Sequence, residues 1–386
     1  MRGQIWAALL TVGLAGCGGG AEGSASDGAT SDATAGASET GATGGDPCAG
    51  ATRCPVEGTW PLPKLSDYDF FHEPMRELVP KDGVVPYKVA APLWSDAAGK
   101  GRYVVLPEGQ TIGFDPGEGW VFPDGTIIVK TFFFDHDRRD PDAGARVVET
   151  RLLIREAGLW KPFTYLWDEA EEEATLIKVG KRINIDFIDL EGKPTTEEYI
   201  VPNLDQCASC HERDDKDELL GLVTHQLNIE VDVDGQKVNQ LEWLGSKGMF
   251  SGTLPDVKTL PGFVDPFGSA PLEDRARSYL HANCSHCHRP GGGATNSGLV
   301  FLQWEETAAK YGVCKVPAAA GPGTGGHDYD IKPGLPDESI VVFRMNSLDP
   351  EIKMPELPNR VIDARGVQLI RDWIAAMPST PGCSQF

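Results

Sequence analysis

Arg275-Ala-Arg-Ser-Tyr-Leu-His-Ala-Asn-Cys-Ser-His-Cys-His288 is the stretch that organises this chain. It ends in Cys-x-x-Cys-His, the attachment sequence for c-type haem. Cys284 and Cys287 are therefore the expected covalent anchors, and His288 the expected proximal iron ligand. Ala276, Tyr279, Leu280 and Asn283 recur at spacings of three to four, which predicts a helix running straight into the binding turn.

The same motif stands upstream as Cys207-Ala-Ser-Cys210-His211, so two covalently bound haem c groups are expected. This copy follows the strand-like Glu198-Tyr-Ile-Val rather than a helix. His225 and Met249 are the local candidates for its sixth ligand, and Met345 a remote one. Two Cys-x-x-Cys pairs can also make a four-cysteine zinc site, but zinc ribbons separate their pairs by about 15–20 residues. Here Cys210 and Cys284 are 74 positions apart and a histidine follows each pair, which favours haem.

Downstream of His288 comes Arg-Pro-Gly-Gly-Gly, a loop able to pass close to a cofactor edge because glycine lacks Cβ. Met354-Pro355 lies 66 positions beyond His288, a separation similar to that in many cytochrome c domains, and Met354 is the expected sixth ligand there. Asp363 is placed to cap a last helix whose apolar face carries Val367, Ile370 and Ile374, with Trp373 at its border. His281 and His286 are expected at the surface.

At the other end, Arg2 and the apolar run Ile5 to Leu14 read as an export signal too short to span a bilayer. Leu14-Ala15-Gly16-Cys17 matches a lipobox, so residues 1–17 are expected to be a lipoprotein signal with Cys17 lipidated. Gly18 after that cysteine is similar to lipoproteins sorted to an outer membrane. Residues 18–55 are dominated by Gly, Ala, Ser, Thr, Asp and Glu and read as a flexible linker. The expected location is the cell envelope, with membrane contact through the lipid anchor alone. Cys48, Cys54, Cys314 and Cys383 remain as disulfide candidates in an oxidising compartment.

The formal net charge of −22 over 386 residues argues against nucleic acid, whose binding needs basic patches. It favours a basic redox carrier as partner. The acidic run Glu212 to Glu218 after the first motif strengthens that expectation.

Residues 56–202 show runs of β-branched and aromatic residues between turn signals, such as Thr126-Ile-Ile-Val-Lys-Thr-Phe-Phe-Phe and Glu149-Thr-Arg-Leu-Leu-Ile-Arg. Trp94, Trp120, Trp160 and Trp167 read as core residues before they read as a sugar platform. Asp135 to Asp140 reads as an exposed charged loop. The expected fold is α+β and multidomain: a β-sandwich or jelly-roll-like domain over 56–202, a first haem segment over 203–270 with a short helix around 236–247, and a mainly α cytochrome c-like haem domain over 271–386.

Pro92-Leu-Trp-Ser-Asp96, Glu149-Thr-Arg151, Gln226-Leu-Asn228, Asn239-Gln-Leu241 and Arg275-Ala-Arg-Ser-Tyr279 with its Cys-x-His-Cys-His together resemble an uncharacterised family of exported dihaem c-type cytochromes with an N-terminal β domain. The resemblance covers most of residues 65–380 and implies electron transfer without naming a donor. An electron carrier is expected ahead of a catalytic oxidoreductase. The alternatives are a peroxidase-like dihaem enzyme with one open iron, and a β-domain module that binds a polysaccharide or protein beside a haem relay.

Overall fold

The computed structural model describes residues 60–203, 211–213, 216–217, 219–318, 320–356, 359–378 and 383. Cys17, Cys48, Cys54, Cys207 and Cys210, and the side chains of the acidic run after His211, lie outside them.

The centre of the chain is one antiparallel sheet. Strands β1 (Val84–Pro86), β2 (Gly99–Val105), β4 (Ile127–Asp135), β5 (Ala145–Glu156), β6 (Leu159–Trp167) and β7 (Ala174–Ile177) lie side by side in that order. The short β3 (Ile112–Gly113) stands outside it and pairs in parallel with a later two-residue strand at Phe250–Ser251. The near-continuous apolar run in β4 is explained by burial on both faces. Ile127 and Val129 point to one side, with Tyr103, Leu152 and Tyr165; Ile128 points to the other, with Val104 and Trp160.

Residues 60–80 cover the first face. Leu65, Tyr68, Phe70 and Phe71 are buried there, and the Tyr68 and Tyr165 hydroxyls meet at 2.7 Å. The second face is covered by residues 219–260, including helices α1 (Thr224–Leu227) and α2 (Gln240–Ser246). The short helix expected around 236–247 begins at Gln240, because Asn239 caps it through Oδ1, and 236–239 is a strand instead. The hairpin β8 (Lys181–Ile188) and β9 (Pro194–Val201) closes one end of the sheet over Phe132 and Phe134.

This corrects the expected architecture. Among the described residues there is no mainly α region and no sandwich of two facing large sheets: they are mostly β, built on a six-stranded sheet with four two-stranded ones beside it, and the helices are short. Alternating strands advertise a buried face but not what buries it, and here largely irregular chain covers one face while short helices and loops cover the other. Among the described residues of 285–335, within the region expected to be mainly α, the repeated Gly and Pro leave loops, isolated bridges and short 3₁₀ turns.

Helix α3 (Leu272–Cys284), α4 (Ile340–Met345) and α5 (Ala364–Ala376) gather around a small core of Tyr279, Leu280, Phe301, Tyr311, Ile370 and Trp373. Asp363 caps α5 as its sequence position implied, accepting from Gly366 N at 3.0 Å, and it also accepts from Tyr279 on α3. A Cβ on Gly366 would come within 2.1 Å of the Tyr279 hydroxyl, so glycine permits this close helix approach. Cys314 and Cys383 lie at disulfide distance, tying residue 383 back to the loop ahead of α4.

Candidate haem site

The end of α3 turns sharply. The amides of Cys287 and His288 both donate to Cys284 O, at 3.2 and 2.9 Å, which gathers the two thiols and the imidazole on one side of the turn. Gly292 then passes so close that a Cβ would stand 2.5 Å from Cys287 O. Any larger residue there would push the turn open.

Against this turn lies a cavity of about 570 Å³, within the usual range for cofactor sites of about 300–1,000 Å³. Cys284, Cys287, His288, Met345 and Met354 all line it. Leu299, Phe301, Ile340 and Val341 supply apolar wall, and Lys315 and Arg344 supply two cations. Cys284 and Cys287 are not bonded to each other, and burial pushes the Cys284 thiol up to about 12.

His288 is held in the form a ligand needs. Burial, and then the charges of His286, Arg344 and Lys315, push its imidazole down to about 4, so it is neutral at pH 7. Its Nδ1 lies 3.0 Å from Ser297 Oγ. That hydroxyl gives its one proton to Ala294 O at 2.7 Å, so Nδ1 is the donor and Nε2 keeps its lone pair. His288 O accepts from Phe301 N, and the Phe301 ring stands edge-on to the imidazole.

Met354 N donates to Arg344 O at 3.0 Å, fastening the start of its loop to α4. Arg344 in turn donates from Nε to Ile352 O. Lys315 pairs with Asp330 at 3.0 Å. The set of two thiols, a neutral imidazole, thioethers and apolar walls, with Arg344 and Lys315 balanced by Asp330 and Glu356, fits a covalently attached haem: Cys284 and Cys287 would hold it, His288 and a methionine would be its iron ligands, and Arg344 and Lys315 could meet its charged groups.

The other expected ligands lie elsewhere. Met249 is buried in the core between the sheet and α2 and does not reach this cavity. His225, on α1, is buried with Nδ1 unpartnered and stacks on Trp304 at 4.7 Å. Met345, expected as a remote ligand of the first haem, borders this cavity beside Met354. His281 and His286 are not at the surface: His281 is 8 % exposed and accepts from Gln303 N. His211 is half-buried, but the cysteines before it lie outside the described residues, so the first attachment site has no geometry to report.

Sequence reasoning missed the residues that join the sheet half to this cavity. Glu118, in the loop after β3, forms a paired contact with Arg289, the residue after His288. Trp94 and Asp96 bond the other side of the site. Pro92-Leu-Trp-Ser-Asp96 stood out only as part of a resemblance, and nothing local in it marks a contact.

No protein-family model, no curated protein and no solved structure matches this chain.

Proposed function

We propose that this chain is a dihaem c-type cytochrome that transfers electrons in the cell envelope, held to the membrane by lipid on Cys17. The observation that carries the reading is one cavity lined at once by Cys284, Cys287, His288 and Met354. When bound, the haem would supply a one-electron couple, held by Cys284, Cys287, His288 and a methionine whose soft thioether favours a higher potential. The chain's own residues do the rest. The two thiols would anchor it, Ser297 holds the His288 tautomer, the apolar wall would exclude water, and Arg344 would offset carboxylate charge beside the Lys315–Asp330 pair.

This reading follows the resemblance to exported dihaem cytochromes and includes a second haem at Cys207, Cys210 and His211. A polysaccharide platform has less support, because Trp120, Trp160 and Trp167 are buried in the sheet cores. The test is to produce the chain with a c-type maturation system and measure covalent haem by mass and pyridine haemochrome. Two haems per chain are expected, and Cys284→Ala with Cys287→Ala should leave one. A chain that carries none, or that retains zinc instead, overturns the proposal.

A further inference from the structure

We propose that the segment Leu93–Asp96, which leads into β2, is a brace that positions Met354 against the His288 side of the cavity. The inference rests on the haem reading above and assigns these residues a positioning role.

The segment bonds the cavity-lining Asn283 and the chain downstream of Met354. On one side, Trp94 N donates to Asn283 Oδ1 at 2.6 Å. Asn283 immediately precedes Cys284, is 2 % exposed, and spends its amide nitrogen on Tyr279 O, so its orientation is set. On its other side, the Trp94 indole donates to Val361 O at 2.9 Å, and Asp96 Oδ1 accepts from Arg360 N at 2.7 Å and Val361 N at 3.0 Å. Met354 N is thus tied to α4, and Arg360 and Val361, six and seven positions on, are tied to the brace.

The brace is itself anchored in the sheet. Lys100 on β2 donates from Nζ to Leu93 O at 2.8 Å. Asp96 is 6 % exposed and sits at φ 47°, a left-handed conformation that a non-glycine residue keeps only where its surroundings hold it. A carboxylate receiving two backbone N–H groups makes charge-assisted bonds, roughly twice as strong as neutral ones.

The physical need is plain. Methionine is unbranched with three rotatable bonds, and its sulfur is a neutral, soft donor. Such a side chain stays at a metal only if its backbone is held within a fraction of an ångström, so a loop fixed at both ends is the device required.

The test uses full-length protein, haem-loaded and haem-free, in three variants. In Asp96→Ala, the Arg360 and Val361 amides should exchange about tenfold faster, as one charge-assisted bond each is lost. In the loaded protein the weak sulfur-to-iron absorption band should shrink and the midpoint potential of that haem should fall. Asp96→Asn keeps an acceptor oxygen and should restore band and potential. Trp94→Phe removes only the indole donor and should weaken the band in part, which keeps the proposal testable if Asp96→Ala does not fold. A wild-type band and potential in Asp96→Ala, or no rescue by Asn, overturns the brace. Absence of haem or of the band in the wild type overturns the haem reading instead. The exchange experiment then still decides the brace, since unprotected Arg360 and Val361 amides in wild-type protein would sink it.

Discussion

Glu118 and Arg289 face each other across the junction of the sheet half and the Cys284–His288 turn, with Oε2 2.6 Å and Oε1 3.2 Å from two guanidinium nitrogens. Two parallel bonds of this kind give orientation as well as energy. Both side chains are largely shielded, at 24 % and 15 % exposure, so salt screens the pair less than a surface one. Glu118→Gln should lower stability by about 1–3 kcal/mol. Urea unfolding should show an earlier midpoint with an unchanged slope.

The Ser297 contact makes a separate prediction. An acceptor on Nδ1–H raises the basicity of Nε2 and favours the oxidised iron. Ser297→Ala should therefore raise the potential of the haem at His288, with a stability cost of about 1 kcal/mol. A redox titration of the variant checks the direction, and a fall in potential would count against the assigned tautomer.

Met354 and Met345 compete for one role. Met354→Ala should remove the sulfur-to-iron band of the oxidised protein and lower one potential, while Met345→Leu should leave both in place and cost mainly packing, typically under about 1.5 kcal/mol. The reverse pattern would move the ligand to α4.

His281 gives a pH signature. Burial, the largest cause, pushes its folded-state value down to about 3, below the usual unfolded value of about 6.5. A group that is neutral when folded but protonated when unfolded contributes stability fully above about pH 6.5. That contribution is lost as pH falls towards 3, at up to about 1.4 kcal/mol per pH unit. Protonation would also cost Nδ1 its acceptor role toward Gln303 N. Denaturant midpoints between pH 7 and 5 should fall more steeply in wild type than in His281→Gln.

The acidic balance of the chain, −22 formally, predicts a basic electron carrier. Stopped-flow reduction by a basic carrier should slow as salt rises, because the Debye length falls from about 10 Å at 0.1 M to about 3 Å at 1 M. Asp214→Asn with Asp215→Asn should flatten that dependence. An acidic carrier reacting as fast would sink the idea.

Much of the local structure was legible. The apolar periodicity before Cys284 ends in α3, Asp363 caps α5, and the aromatic and β-branched runs became β4, β5 and β6. These are short-range effects of side-chain period and capping, and they survive any tertiary context. What covers the sheet was not legible, because a strand pattern records burial and not its partner. Met249 shows how packing partners escape a sequence reading: Ile112 and Phe250, with which it shares a buried core, lie on a pair of short parallel strands that no local pattern announces.

The proximity of Cys284, Cys287 and His288 was legible in sequence alone, because a five-residue turn brings the groups together through bonds that skip only three or four residues. The wall opposite that turn was decided by tertiary structure. Trp94 meets Asn283 across 189 positions and Asp96 meets Arg360 across 264. No periodicity or spacing encodes such a pair. It exists only once the sheet, Lys100 and the loop after Met354 have packed, since a hydrogen bond between distant residues depends on everything that fixes both ends.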